Sequence, residues 1–405
     1  MEICSKESCT GCGACENICP VAAIFMQENG RGFLYPTIDE QKCISCQKCR
    51  KVCPQTAGRC TNPEGSVIAA MAKNDALRNV SSSGGVFSLL AEWCLRHDGI
   101  VFGAAYDSEM NVRHLAVTSL DDLPKLRGSK YVQGRTDNTY QEAKTTLEAN
   151  KYVLYSGTPC QIAGLYAFLG KNYKKLLTVD ILCHGTPSPA VFRKYTDYIQ
   201  KTNQCKIADI QFRCKNPGWK DFTTKISLMN GEIVILYRDA YMDGFLRNIY
   251  LRDSCYQCPY AASTRAGDIT LGDYWGYQET APHFMEDDDR GISFVMINTP
   301  GGKRALRRIR GKLVWVPRTI EDARRGNKIL SSPFSAPEET NEFWNLFSDY
   351  TWEQLSERFN LGGAEMPESY SQKKREYFAL PLHKRRFGHI LERCAAGMLR
   401  RIRRN

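Results

Sequence analysis

The sequence predicts an α/β protein in which a small α+β domain over residues 1–60 precedes a mixed-sheet α/β domain over residues 66–300. Three observations support this prediction. The first 58 residues repeat one cysteine pattern, a loop rich in Thr, Asn, Pro and Gly follows at 61–65, and short apolar runs then alternate with helical patterns. With 405 residues and 42% hydrophobic content the chain can also bury a sizeable core, which argues against disorder.

Apolar runs beyond the loop predict the strands of the larger domain. The runs are Val67–Ala72, Ile100–Tyr106, Tyr152–Ser156, Leu176–Leu182, Ile269–Gly272 and Ile292–Asn298. The segments Phe222–Met229 and Glu232–Arg238 predict a β-hairpin, because the Asn230-Gly231 pair between them favours a tight turn. Helical patterns separate several of the strands, so we expect a mixed sheet with helices on both faces.

Eight N-terminal cysteines repeat one spacing twice. The repeat reads Cys9-x2-Cys12-x2-Cys15-x3-Cys19-Pro20 and then Cys43-x2-Cys46-x2-Cys49-x3-Cys53-Pro54. Three thiolates spaced by two residues bind one 4Fe-4S cluster, and the fourth, held before a proline, reaches the cluster of the other half. The pattern is typical of a bacterial-type ferredoxin domain and fits structural zinc poorly, since zinc sites use separated cysteine pairs. We therefore predict two 4Fe-4S clusters, with the ligand sets Cys9, Cys12, Cys15 and Cys53, and Cys43, Cys46, Cys49 and Cys19.

The cysteine count also indicates the cellular compartment. Eighteen cysteines are present, and they are grouped in C-x-x-C patterns rather than scattered pairs, which favours metal ligation in a reducing compartment over disulfides. The first six residues lack the apolar segment of a signal peptide, and no run of 18 apolar residues follows. A cytoplasmic location is therefore expected.

Four later cysteines form a candidate for a third metal site. Cys160 begins a predicted helix after one strand, where the helix N-terminus would lower its thiol pKa, and Cys183 follows the next strand. If these strands are parallel neighbours, both thiols emerge at the carboxyl edge of the sheet, where open α/β sheets bind ligands. With Cys255 and Cys258 they supply four ligands, enough for a third 4Fe-4S cluster or a zinc site. Buried core thiols, or a redox disulfide between the last two, are the alternatives.

The segment Ser81-Ser82-Ser83-Gly84-Gly85-Val86 precedes a predicted helix. Free amides, hydroxyls and two glycines at a helix N-terminus suit the pyrophosphate of a flavin or nucleotide. An ordinary serine N-cap would explain the same residues.

Together these segments resemble the coenzyme F-420 hydrogenase/dehydrogenase beta-subunit family over roughly residues 66–300. The residues that carry the resemblance are Ser82-Ser83-Gly84-Gly85-Val86-Phe87, Gly128-Ser129-Lys130-Tyr131, Gly157-Thr158-Pro159-Cys160-Gln161, Cys183-His184-Gly185, Cys255-Tyr256-Gln257-Cys258 and the run from Gly267 to Trp275. The resemblance implies that the four later cysteines bind a 4Fe-4S cluster. It also implies that Ser83, Gly84, Gly85, Ser129 and Lys130 lie around FAD, while the family's deazaflavin partner leaves no local signature here.

Two polar residues next to these motifs are candidates for proton transfer. His184 and Asp273 adjoin the predicted cluster and flavin, so either could donate or relay a proton, although an ordinary hydrogen-bonded loop residue is the favoured interpretation of each. The cysteines outside every motif are interpreted as ordinary thiols; these are Cys4, Cys60, Cys94, Cys205, Cys214 and Cys394.

Residues 301–405 are predicted to be a C-terminal extension that ends in a basic amphipathic helix. Apolar residues recur at helical spacing in its last 25 residues, and Lys and Arg occupy the remaining surface. Such a helix suits peripheral contact with the inner face of a membrane or with a partner, and it suits equally a helix folded onto its own domain. It carries much of the +11 net charge, but no recognised nucleic-acid-binding module accompanies it, so no nucleic-acid partner is expected.

The leading hypothesis is a flavin-dependent iron-sulfur oxidoreductase that exchanges electrons between its clusters, FAD and a redox partner protein or small organic molecule. One alternative is an electron-transfer subunit that has no substrate of its own and serves a separate catalytic partner. Another is a zinc-stabilised binding protein without a redox role.

Overall fold

The computed structural model describes residues 2–58, 61–277 and 288–362. The strands are β1 (Ile24–Glu28), β2 (Leu34–Ile38), β3 (Ser66–Ala72), β4 (Ile100–Tyr106), β5 (Val112–Val117), β6 (Val153–Gly157), β7 (Leu176–Ile181), β8 (Ile207–Cys214), β9 (Thr223–Leu228), β10 (Ile233–Leu236), β11 (Ile269–Asp273), β12 (Ser293–Ile297) and β13 (Leu313–Arg318). The helices are α1 (Ala14–Ile18), α2 (Lys48–Val52), α3 (Asp75–Asn79), α4 (Val86–Leu95), α5 (Thr139–Glu148), α6 (Pro159–Leu169), α7 (Pro189–Asn203), α8 (Ala240–Leu246), α9 (Pro300–Ile309), α10 (Ile320–Gly326), α11 (Glu339–Leu346) and α12 (Trp352–Arg358). The predicted α/β class is confirmed.

The N-terminal cysteine repeat folds into two equivalent pieces. Helices α1 and α2 each contain the third cysteine of their motif and end at the fourth, Cys19 or Cys53, which adopts an extended conformation. Because a residue before proline is disfavoured in a helix, Pro20 and Pro54 end both helices at the same point of the repeat. Strands β1 and β2 pair antiparallel beside them, which completes a small α+β unit.

An eight-stranded mixed sheet forms the centre of the larger part of the protein. Its strand order is β13-β3-β12-β11-β7-β6-β4-β5, and the pairs β4/β6, β6/β7 and β7/β11 are parallel. All predicted strands of this sheet are present, with ends that differ from the prediction by one residue at most. The predicted hairpin is also present as β9 and β10, but it belongs to a separate three-stranded sheet with β8.

Helices cover both faces of the large sheet, as predicted. On one face α4 and α9 pack against residues such as Leu154, and on the other α5 and α6 pack against Val153 and Tyr155. Alternate residues of one strand therefore face different cores, which explains why the first three residues of β6 are all apolar and buried. Farther along the second face, α10 covers β3 and β12.

The large sheet continues beyond residue 300. Strand β13 pairs antiparallel with β3 and forms one edge, and α11 and α12 pack with α7 and the three-stranded sheet in a second aromatic-rich core. The predicted amphipathic helix near the C-terminus lies outside the described residues. No helix within the described residues is long and apolar enough to cross a membrane.

Candidate functional site

The first cysteine group consists of Cys9, Cys12, Cys15 and Cys53. These four thiols line one small cavity, together with Gly11, Gly13 and the apolar residues Ile3 and Met26. All four are buried. The fourth cysteine of the second motif thus lies with the first three of the first motif, which is the exchange that the spacing predicts.

The second cysteine group consists of Cys19, Cys43, Cys46 and Cys49, which line a cavity of their own. This group lies nearer the surface, because Cys46 is exposed and Cys19 and Cys43 are half-buried. The side chain of Ile44, between two of the cysteines, is 61% exposed. Within the described residues, no three His, Cys, Asp or Glu side chains converge closely enough to hold a single metal ion.

Cys4 is a residue whose position the sequence did not indicate. It lines the cavity of the first cysteine group, where it hydrogen-bonds the thiols of Cys9 and Cys53. These contacts lower the pKa of each partner thiol. Cys4 belongs to no C-x-x-C spacing, so only the folded chain reveals that it is not an isolated thiol.

The third cysteine group consists of Cys160, Cys183, Cys255 and Cys258. Strands β6 and β7 are parallel neighbours, so Cys160 and Cys183, which follow them, emerge at the same edge of the sheet. The 3-10 helix Asp253–Cys255 brings the remaining pair to this edge. Burial raises the pKa of the Cys183 thiol well above its usual range, and the other three thiols are close enough to raise it further.

The prediction that the helix N-terminus lowers the pKa of the Cys160 thiol is wrong. Cys160 does lie in the first turn of α6, and its sulfur is 3.1 Å from the hydroxyl of Thr158, which favours the thiolate. Burial nevertheless raises the thiol pKa, because the free energy of removing the thiolate charge from water exceeds the stabilisation that one hydroxyl contact gives.

Helix α6 joins the third cysteine group to the first. The hydroxyl of Tyr140 lies 2.7 Å from the carbonyl oxygens of both Cys12 and Gln161. A Cβ atom at Gly164 would lie only 3.0 Å from the sulfur of Cys12, so glycine lets the helix approach the N-terminal domain closely. The two cysteine groups are therefore packed together through a single helix.

A large cavity of about 570 Å³ lies at the carboxyl edge of the sheet, beside the third cysteine group. Its lining contains most of the residues that the sequence connects with FAD: Ser83, Gly85, Ser129 and Lys130. Cys160 and Cys183 form part of the same wall. The predicted flavin segments and two of the later cysteines thus meet in one cavity.

Gly84, the remaining predicted flavin contact, is buried behind this lining. Its amide donates to the hydroxyl of Ser293, and its carbonyl accepts from the amide of Ala72. A Cβ atom at this position would be 2.4 Å from the carbonyl oxygen of Ala70. Gly84 therefore attaches the segment Ser81–Gly85, here called the serine loop, to the sheet rather than lining the cavity.

Comparison with known family models finds similarity in two regions of the chain. Residues 150–321 match the family model for the C terminus of the coenzyme F420 hydrogenase/dehydrogenase beta subunit, and residues 8–57 match the model "4Fe-4S dicluster domain". The chain therefore combines a region similar to 4Fe-4S dicluster domains with a region similar to the C terminus of that beta subunit. It is thus an iron-sulfur electron-transfer protein related to that beta subunit.

A solved structure of the F420-reducing NiFe hydrogenase complex from Methanosarcina barkeri contains a similar chain. The identity is 16%, the match covers 74% of this chain and 95% of that chain, and the TM-score is 0.43. No curated protein sequence matches.

Within the matched region 150–321, His184 and Asp273 both line the large cavity. The ring of His184 stacks on Phe334, and its Nε2 lies 2.6 Å from the side-chain oxygen of Asn248. Burial lowers the pKa of His184, so the ring is neutral near pH 7. Asp273 accepts from Arg213 and from the indole of Trp219, both at 2.7 Å.

Two basic residues near the cavity were not indicated by the sequence. Arg213 lines the cavity. Its guanidinium carbon lies 4.2 Å from the ring centroid of Phe222 and 5.2 Å from that of Trp275. Lys215 holds the serine loop, because its ammonium donates to the carbonyl of Ser83 at 2.6 Å and to two other carbonyls. Burial lowers the pKa of Lys215 to about 7. Neither residue lies in a motif, so no spacing could have identified it.

Proposed function

We propose that the protein is a flavin-dependent iron-sulfur oxidoreductase, in which electrons move between two ferredoxin-type clusters, a third 4Fe-4S cluster and FAD, and to or from an organic donor or acceptor. The observation that carries this proposal is that Cys160 and Cys183 of the third cysteine group and the serine loop line one cavity. The contact of α6 with Cys12 further supports it, because it makes the N-terminal domain a direct neighbour of that cavity.

The donor sets fit the proposed groups. Each cysteine group supplies four thiols, the number of ligands that a 4Fe-4S cluster takes. The cavity volume of about 570 Å³ lies within the range of cofactor sites, and its lining contains glycines and hydroxyl-bearing residues as well as apolar residues. When bound, the clusters would supply single electrons and the flavin would exchange electron pairs with an organic molecule.

The side chains of this protein would have defined tasks in that reaction. Ser82 and Ser129 would bind the flavin segment nearest the start of α4, and Lys215 would hold the loop that carries Ser82 in place. Lys130 would orient the same region indirectly, since its ammonium donates to the carbonyls of Lys125 and Arg127 at 2.8 Å and 2.7 Å. His184 and the ion pair of Arg213 with Asp273 also line the cavity. These polar groups would position a proton for the reaction.

The redox partner protein would dock beside the second cysteine group. Cys46 and Ile44 are exposed there, and the neighbouring side chains Lys48, Arg50 and Lys51 are exposed cations. Among the ion pairs of the described residues, none includes these three side chains. An apolar centre surrounded by unpaired cations suits a small acidic electron carrier, because opposite charges accelerate and orient encounter.

Anaerobic purification followed by iron, sulfide, zinc and flavin analysis tests the proposal. Three clusters require about twelve irons per chain, with bound flavin in a near one-to-one ratio. About eight irons without flavin would instead support an electron-transfer subunit without its own substrate. Zinc in place of iron would support a zinc-stabilised binding protein and remove the redox function.

A further inference from the structure

Arg252 is a buried cation that lacks a carboxylate partner. Three arginines of the described residues are at most 2% exposed. Arg78 pairs with Asp288 at 2.6 Å, and Arg265 lies 3.7 Å from Asp180. The ion pairs within the described ranges include none for Arg252. Since burying an unpaired charge is costly, a compensating negative group is expected next to this guanidinium.

The contacts of Arg252 place it between two cysteine groups. Its Nε donates to the carbonyl of Cys9 at 2.7 Å, and one terminal nitrogen donates to the carbonyl of Leu34 at 2.9 Å. Its own carbonyl accepts from the amide of Cys255 at 2.8 Å, so the same residue forms part of the loop that carries the third cysteine group. The other terminal nitrogen is buried and has no partner among the described residues.

Electrostatics connects Arg252 with thiols of both groups. Its guanidinium attracts negative charge at three thiols, Cys9 of the first group and Cys160 and Cys255 of the third. The ring of Tyr35, 4.0 Å from the guanidinium carbon, covers it on one side. Backbone carbonyls supply only partial negative charge, so cysteine thiolates are the anions available to balance this cation.

We propose that Arg252 is a positioning residue shared by the first ferredoxin-type cluster and the third cluster, whose positive charge raises the reduction potential of both. The proposal rests on the proposed third cluster. Reduction adds an electron to a site that already carries negative charge, so a nearby buried cation stabilises the reduced form. The second cysteine group contributes no thiol to these contacts, so its cluster should not respond.

The test compares Arg252→Gln and Arg252→Lys with the wild-type protein, using iron analysis and redox titration followed by electron paramagnetic resonance. In Arg252→Gln we expect the reduction equilibria of two clusters to shift tenfold toward the oxidised form, or about 59 mV for a one-electron couple. Arg252→Lys should restore most of the shift, because it keeps the charge. The remaining cluster is the control within the same molecule. Unchanged potentials in Arg252→Gln, at full iron content, would overturn the proposal.

A second pair of variants covers the case in which Arg252→Gln does not retain its iron. Tyr35→Glu keeps Arg252 but places a carboxylate beside it, and Tyr35→Gln is the neutral control of similar size. We expect Tyr35→Glu alone to lower the same two potentials, and equal potentials in the two variants would overturn the proposal. A wild-type protein with about eight irons would remove the third cluster, and with it the proposed function. Twelve irons with unshifted potentials would overturn the role of Arg252 alone.

Discussion

The hydroxyl of Ser82 accepts hydrogen bonds from both the amide and the hydroxyl of Ser129, at 3.1 Å and 3.3 Å. These two residues belong to separate motifs, one before α4 and the other after the 3-10 helix Leu123–Leu126. Both residues line the large cavity, so their contact joins two parts of its wall. A ligand bound there would touch both segments, so the pair is a direct way to test the proposed flavin site.

Replacing Ser82 with Ala should weaken flavin binding. The substitution removes the acceptor for both Ser129 hydrogen bonds, at about 1 kcal/mol for each neutral bond, so we expect at least a tenfold rise in the flavin dissociation constant. Fluorescence titration of flavin-depleted protein measures it. Ser119→Ala is the control, because that hydroxyl pairs with Asp122 outside the cavity lining. Equal flavin affinity in both variants would argue against a flavin at this end of the cavity.

Replacing Cys255 and Cys258 with Ala should remove one metal centre and leave the others. Both thiols belong to the third cysteine group, whereas the N-terminal groups line separate cavities, so we expect a loss of about four irons per chain. Iron analysis and the visible absorption spectrum measure this change. Cys205→Ala, at a half-buried thiol outside all three groups, should retain all its iron. Unchanged iron in the double variant would assign the pair another role.

The sequence predicted those parts of the site that depend on spacing. The two N-terminal motifs, the strands before Cys160 and Cys183, and the serine loop could all be recognised locally, because each has a fixed period or turn chemistry. Residues that contact the site from distant parts of the sequence could not be recognised in this way. Lys215 reaches the serine loop, and Cys4 the first cysteine group, only because distant segments pack together. The prediction of a lowered pKa for Cys160 is wrong for a related reason, because burial is a property of the folded chain.

Gly164 should be intolerant of a larger residue. A Cβ atom there would lie 3.0 Å from the Cys12 sulfur and 3.1 Å from the Tyr140 hydroxyl, so Gly164→Ala must move α6 away from the first cysteine group. We expect a loss of about 1–3 kcal/mol in unfolding free energy, typical of overpacking. Anaerobic urea denaturation measures it. Gly311→Ala is the control, since no atom lies within 4 Å of the position that its new methyl group would take. An equal unfolding free energy in the two variants would show that α6 shifts without loss of stability.

His114 should make the protein less stable on mild acidification. Its Nε2 lies 3.1 Å from the carbonyl of Ser156, so this nitrogen donates, and the other ring nitrogen is buried without a partner in the described chain. Burial lowers the pKa from 6.5 to about 4. The unfolded chain therefore binds the proton more readily, and stability that is complete above pH 6.5 is lost as the pH falls toward 4.

Between about pH 7.5 and 5.5 we expect His114 to account for a loss of about 1 kcal/mol in unfolding free energy. His114→Gln should remove that slope in anaerobic urea denaturation, while the exposed His97→Gln should keep it. Asp239, whose pKa is raised by burial to about 6, has the opposite slope, but it is present in all three proteins and cancels. Parallel profiles for all three would contradict a neutral, buried His114.

Charge reversal beside the second cysteine group should slow reduction by an acidic carrier protein. Lys48 and Lys51 are exposed on α2 next to the exposed Cys46, so Lys48→Glu with Lys51→Glu replaces attraction with repulsion. In stopped-flow mixing with a reduced acidic ferredoxin at low salt, we expect the second-order rate constant to fall about tenfold, and the difference to shrink as salt screens the charges. Lys171→Glu with Lys174→Glu, at the opposite end of α6 from Cys160, is the control with the same charge change. Reduction by dithionite should be alike in both variants, and equal rates with the ferredoxin would place the docking surface elsewhere.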